Sequence, residues 1–226
     1  MSEKINAFVE LAKYFSDNGY KLYLVGGTVR DFFLNVPLTD MDLVTDATPS
    51  DMEKFLPDAD YTFSKYGSIK YVHDGIKFDI TTLRKERRYI DRRHPQNVKF
   101  VKSLKVDVKR RDFTINAMYL DDRFKLFDFY QGKTDLDDKI IKMIGNPNKR
   151  IKEDPLRILR ALRFAINLDF NVDPKLEKAI LKNISLVKEL NADKIKQELF
   201  KINPTKELSR NKIFTKYNLS YLIKGE

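Results

Sequence analysis

Hydrophobic periodicity changes kind near Gly145, and that change limits the fold more than any other feature of the chain. After it, PNKRIKEDPLRILRALRFAI, PKLEKAILKNISLVKEL and NADKIKQELFKI repeat apolar residues at three- and four-residue steps behind Asn, Asp and Pro start signals. Before it, elements of both kinds alternate. Ile5, Phe8, Val9, Ala12 and Phe15 predict an amphipathic helix ending at Asn18-Gly19. KLYLV predicts a short buried strand, TVRDFFLN a helix, MDLVT a second strand and PSDMEKFLP a helix with Pro49 at its start. KYV and KFDITTL predict a hairpin about His73-Asp74-Gly75, and NVKFV another strand. SLKVDVKRRDFTINAMYL reads as a helical stretch and then a strand, with a turn at Asp121-Asp122 before KLFDF. Arg84 to Pro95, RKERRYIDRRHP, is too polar for a core element and reads as a long mobile loop. The expectation is an α+β fold, with residues 1–146 a mixed sheet with helices and residues 147–226 all helical.

Composition closes several chemistries. Cys is absent, so no disulfide, thiol nucleophile or cysteine zinc site exists, and the two histidines, His73 and His94, cannot alone complete a typical structural zinc site. The N-terminus lacks the pattern of a secretory signal, and no apolar run approaches ~18 residues. A soluble, cytoplasmic protein without a membrane partner is expected. Forty-three Lys and Arg against 33 Asp and Glu leave a net charge of +10. That excess favours a polyanion through phosphate neutralisation, although a Lys-rich solvated surface accounts for it as well. The sequence carries no signal for an oligomeric state.

Two short patterns point to phosphate chemistry. Asp40 and Asp42 stand at the start of a strand two residues apart, which sends both carboxylates to one face. Such a pair can hold Mg²⁺, whose hard-oxygen preference suits carboxylates and substrate phosphates, although Asp is also common where loops meet strands. Gly26-Gly27 lies between a buried strand and a helix, where missing side chains let a triphosphate approach backbone amides. Arg30 follows one turn later. A tight turn with Arg30 paired to Asp31 or Asp40 is the structural alternative. Together, a phosphate cradle and a carboxylate pair a dozen residues on make the layout of a nucleotidyltransferase.

LVGGTVRDFFLNVPLTDMDLVTDATP resembles the first motif of the class II tRNA nucleotidyltransferases, the CCA-adding enzymes and bacterial poly(A) polymerases of the DNA polymerase β superfamily. RRDFTINAMYL, DFYQGKTDL, EDPLRILRALRF and a departing DKIKQELFKI, with Lys194 where Arg is common, follow in that family's order, from Leu24 to Ile202. The resemblance implies a nucleotidyltransferase head followed by a helical neck. It implies template-independent addition of CMP and AMP to the tRNA 3′ end, with CTP and ATP as substrates and Mg²⁺ as cofactor. An A-only tRNA enzyme or poly(A) polymerase is the near rival, and a catalytically silent RNA-binding fragment the distant one.

Residue by residue, the resemblance implies Asp40 and Asp42 as catalytic metal ligands, with Asp79 on KFDITTL a possible third carboxylate. It implies Gly26, Gly27 and Arg30 on the triphosphate and Arg111, Asp112 and Asn116 beside the nucleotide, where Asp112 could read a ribose hydroxyl or simply cap a helix. It implies Asp154 and Arg157 as a protein template, Arg160 and Arg163 toward the nucleotide, and Glu153 in support. Cytosine and adenine both offer an exocyclic amine donor beside a ring-nitrogen acceptor, which an Asp acceptor and an Arg donor fit. Asp154 before Pro155 is equally an ordinary helix start. Tyr89, Asp91, Arg92 and Arg93 fall in the loop that CCA-adding members use in switching from C to A. Relatives generally continue through helical body and tail domains, so this chain reads as a fragment or as a compact enzyme.

Overall fold

The computed structural model describes residues 2–89 and 95–223, apart from the side chains of 87–89 and 95–97. The chain divides into two compact units, Met1–Arg88 with Pro95–Arg111 and Ile115–Lys133, and Asp112–Thr114 with Thr134–Glu226. The sequence puts its change of character about a dozen residues later than this division.

In chain order the first unit contains α1 (Glu3–Asp17), β1 (Leu22–Val25), α2 (Gly27–Phe33), β2 (Met41–Thr45), α3 (Pro49–Met52), β3 (Ser68–His73) and β4 (Ile76–Thr82). β5 (Arg84–Tyr89), β6 (Pro95–Phe100), α4 (Leu104–Asp107), β7 (Met118–Leu120) and β8 (Leu126–Asp128) follow. Ile5, Phe8, Leu11, Ala12 and Phe15 form the buried stripe of α1, each worth about 1.5–3 kcal/mol for the larger side chains. That helix stops where Gly19 takes φ +84° and the Gly19 and Tyr20 amides close back on the Ser16 and Phe15 carbonyls. β1 is buried at all four positions, as a central strand should be, and pairs antiparallel with β2 and with β7. The six-stranded sheet runs β3-β4-β2-β1-β7-β8 and is mixed, because β2 and β4 are parallel. The expected hairpin is β3–β4, turned by Asp74 and Gly75 at φ +49° and +75°, the two positive angles a type I′ turn demands.

One expectation is corrected here. Arg84–Tyr89 is not loop but strand, forming a two-stranded sheet with β6. Two of its charged side chains, Arg84 and Glu86, pair with each other and also with residues far along the chain. Arg84 donates from Nε to Glu86 at 2.9 Å and from Nη1 to the Tyr66 carbonyl at 2.6 Å, while Arg110 lies 3.4 Å from Glu86.

α5 (Gly132–Asp137) carries the chain into the second unit, which holds β9 (Ile140–Ile141), α6 (Pro147–Glu153), α7 (Leu156–Leu168), β10 (Asn171–Val172), α8 (Pro174–Asn183), α9 (Ala192–Phe200) and α10 (Glu207–Lys216). α7 is the hub, with Leu156, Ile158, Leu159, Ala161, Leu162, Ala165 and Ile166 all buried. Helices dominate as expected, and the structure adds one short parallel pairing of β10 with β9. It follows the end of α7, where Asp169 at φ +54° turns the chain before Asp173 and Pro174 start α8. Among the described residues no helix is long and apolar enough to cross a membrane.

Candidate active site

β1 delivers the chain to Gly26, whose φ of +68° favours glycine and whose missing side chain faces Asp42, since a Cβ there would meet Asp42 Oδ2 at 3.4 Å. Thr28, buried in the first turn of α2, accepts the Asp42 amide hydrogen at 2.9 Å and donates to the Asp40 carbonyl at 3.1 Å. One hydroxyl thereby fixes the backbone of the whole Asp-x-Asp segment against the glycine turn. Asp40 immediately precedes β2, and parallel pairing sets Asp42 opposite Asp79. Burial, then the charges of Asp79 and Asp40, push the Asp42 carboxyl up to about 6, against the lesser pull of Arg111 and Arg30. Asp79, however, is half exposed and lies 3.4 Å from Lys70, and the three carboxylates are not gathered within 4.8 Å of one another. Asp40 and Asp42 crowd negative charge beside an open glycine turn, an arrangement whose donor chemistry fits a hard divalent cation.

Arg30 is held rather than free. It donates from Nε to Asp31 at 2.9 Å and from Nη1 to Asn116 Oδ1 at 2.8 Å, so two residues named from separate motifs meet. Gly27 leaves room for that guanidinium, with Arg30 Nη2 3.4 Å from where a Cβ would stand. Arg111 is anchored on Asp107, a fully buried carboxylate that also accepts from Arg110 Nε at 2.8 Å, Tyr119 Oη at 2.9 Å and the Arg84 amide at 3.0 Å. Arg111 Nη2 lies 3.1 Å from Asp107, and its Nε donates to Tyr119 Oη at 3.1 Å. Burial opposes the ionised Asp107, yet Arg111 and Arg110 prevail and bring its carboxyl down to about 2. Burial likewise opposes the Arg111 charge, and Asp107 overcomes it.

In the second unit, Arg160 donates from Nε to Asp112 Oδ2 at 2.7 Å, and Asp112 also accepts from the Phe113 amide at 2.9 Å. Burial raises the Asp112 carboxyl but Arg160 outweighs it, so the net direction is down. Arg163 donates to Glu198 at 2.8 Å and stacks over the Phe164 ring at 4.3 Å, while Arg160 Nη1 lies 3.9 Å from Glu198. Asp154 separates α6 from α7 and accepts the Leu156 amide at 3.1 Å. Arg157 is 4% exposed, donates to the Arg150 carbonyl at 2.6 Å and lies 3.7 Å from Glu153.

Residues 22–142, more than half of the chain, match the family described as the poly A polymerase head domain. The chain belongs to that family. It is 36% identical over 210 residues to the CCA-adding enzyme of Staphylococcus haemolyticus, covering 93% of this chain and 52% of that protein. It superposes on the crystal structure of the Bacillus stearothermophilus CCA-adding enzyme in complex with CTP with a TM-score of 0.87 at 31% identity, covering 97% of this chain and 53% of that one. A crystal structure of a tRNA nucleotidyltransferase complexed with a primer tRNA and an incoming ATP analog gives 0.77 at 31% identity, covering 96% and 63%. The chain spans about half the length of the curated relatives it matches.

Within this head-domain family member, the structure brings together Gly26, Asp40 and Asp42, then Arg30 with Asn116, and separately Asp112 with Arg160. Of the loop residues, Tyr89 ends β5, and Asp91, Arg92 and Arg93 lie outside the described residues. Sequence reasoning missed Thr28, Asp107, Tyr119 and Glu198. Asp107 had a readable signal, because Arg110 and Arg111 stand three and four residues after it at helical spacing. Glu198 had none, its partner Arg163 being 35 residues away.

Proposed function

We propose that this chain carries the catalytic and nucleotide-selecting part of an enzyme that adds CMP and AMP to the 3′ end of tRNA, releasing pyrophosphate. The observation that carries the reading is the half-buried Asp42 carboxyl, which faces the open Gly26 turn beside Asp40 and Asp79 and is pushed up to about 6 by partial burial and their charges. A carboxylate perturbed by burial and like charges beside a glycine turn suits a functional site, and a hard divalent cation would relieve that charge. Asp40 and Asp42 would hold Mg²⁺, which when bound lowers the pKa of the RNA 3′-hydroxyl and offsets the charge growing on the α-phosphate.

This chain's residues supply the rest. Gly26 and Gly27 present backbone unobstructed by side chains, and Arg30, oriented by Asp31 and Asn116, offers a fixed positive charge to the triphosphate. Arg111 is locked by Asp107 and acts electrostatically on Asp42. In the second unit Asp154 is the acceptor for the exocyclic amine of cytosine or adenine and Arg157 the donor to the ring nitrogen, with Glu153 orienting Arg157. Asp112, held by Arg160, accepts from the ribose. Arg160 and Arg163 add positive charge for the nucleotide.

The test is incubation with tRNA lacking its terminal CCA and each labelled nucleotide, read as product length. Stepwise addition of two C and one A is expected. Incorporation of AMP alone identifies an A-only enzyme, and no metal-dependent incorporation of either nucleotide leaves RNA binding as the function.

A further inference from the structure

We propose that Glu10, His73 and Asp74 form a binding site for a divalent transition-metal ion of the Zn²⁺ class, remote from the chemistry assigned to Asp40 and Asp42. Glu10 comes from α1, His73 is the last residue of β3, and Asp74 opens the hairpin turn. Each offers one ligand atom, and the three atoms lie within 4.8 Å of one another. It is the only such His and carboxylate group among the described residues.

The decisive atom is His73 Nε2. It is buried and has no hydrogen-bond partner, a condition that ordinarily costs about 1–3 kcal/mol. Its neighbours are Glu10 Oε2 at 3.7 Å and Asp74 Oδ2 at 3.8 Å, both beyond hydrogen-bond reach. Two ligand atoms on one tetrahedral zinc, bonded at about 2.0–2.2 Å, stand about 3.3–3.5 Å apart, so a small adjustment of the exposed carboxylates brings all three onto one ion. The imidazole ring is already oriented, stacked at 20° on Tyr71 with centroids 6.2 Å apart. The two carboxylates reach in from solvent, at 64% and 72% side-chain exposure, so the ion has an entry path and room for water in the fourth position. An imidazole with two carboxylates suits a borderline cation better than Mg²⁺, which prefers oxygen alone. Bound there, the ion would clip α1 to the tip of the β3–β4 hairpin.

The chain has only two histidines, His73 and His94, so its imidazole ¹⁵N spectrum reports the site directly. Titration of the full chain with Zn²⁺ should move the His73 Nε2 signal to saturation at one equivalent. Glu10→Gln keeps the helix and Asp74→Asn keeps the turn, and each should weaken that titration about tenfold or more. Asp42→Asn should leave it unchanged, which separates this site from zinc at the other carboxylates. The melting temperature should rise with Zn²⁺ in the native chain and not in His73→Ala. A His73 signal that stays put in excess Zn²⁺ overturns the proposal. Equal affinity in both carboxylate variants also overturns it, since a lone surface imidazole would then be the ligand.

Discussion

Thr28 Oγ1 and the Asp42 amide are 2.9 Å apart, and the same hydroxyl donates to the Asp40 carbonyl at 3.1 Å. A side chain in the first turn of α2 therefore sets where both candidate metal ligands stand. Thr28→Val keeps the shape and removes both bonds, leaving a donor and an acceptor without their partner at a cost of about 1–3 kcal/mol each. Nucleotide incorporation should fall with that stability in urea titrations, and Thr28→Ser should restore both. Equal losses in the Val and Ser variants would mean that the methyl group, not the hydroxyl, matters.

The Asp42 carboxyl carries its own pH signature. Its value in the folded chain, about 6, lies above the ordinary 3.8. Stability linked to it is therefore fully present below about 3.8 and lost as pH rises through about 6. The displacement corresponds to up to about 3 kcal/mol, less whatever solvent screening removes. Asp42→Asn should abolish incorporation of both nucleotides while raising the urea midpoint at pH 8 without added metal. A variant that is inactive and also less stable at pH 8 would make Asp42 a structural residue.

Asp107 has the opposite sign. Its carboxyl is held at about 2, so the stability it contributes is present above about 3.8 and lost as pH falls through about 2. Asp107→Asn leaves Arg110 and Arg111 without their buried counter-charge, which should cost about 3–5 kcal/mol at neutral pH. The gap between native and variant urea midpoints should narrow below about pH 3.8 and close as pH falls through about 2. A constant gap across that range would show that shape rather than charge is what the pocket requires.

The contrast between Asp42 and Asp107 explains what was legible. Strand, glycine turn, helix and Asp-x-Asp fall within about twenty residues, and local pattern alone identifies them. Hairpin and helices were readable for the same reason. The anchoring of Arg111 needed Tyr119 and the Arg84 amide, brought close only by the folded sheet. Arg84 and Glu86 defeated the reading outright, because an alternation of charges looks like solvated loop until Arg110 and Asp107 are placed beside it. Arg157 is singled out by its spacing after Asp154, but its bond to the Arg150 carbonyl appears only once the α6–α7 corner is folded.

A net charge of +10 with RNA as the proposed partner predicts steep salt dependence. If about six phosphates are neutralised, affinity for tRNA should drop roughly 10³-fold between about 50 and 200 mM salt. Fluorescence anisotropy across that range is the measurement. A flat response would assign the charge to solubility.

The base-reading role of Asp154 differs in its consequences from the capping role that its 3.1 Å bond to the Leu156 amide demonstrates. Loss of a cap costs about 1 kcal/mol of stability and lowers incorporation of all four nucleotides alike. Loss of an acceptor for the exocyclic amine acts on the ratios instead, because UTP and GTP present a carbonyl at that position and Asp154 repels it. Asp154→Ala should then lose about 1–3 kcal/mol of discrimination, letting UTP and GTP compete better against CTP and ATP. Asp154→Asn sharpens the comparison, since it retains a capping oxygen while adding a donor that can turn toward the base. Near-native stability with relaxed selectivity in the Asn variant is the expected result. Unchanged nucleotide ratios in both variants would leave Asp154 as a helix cap and move base selection elsewhere.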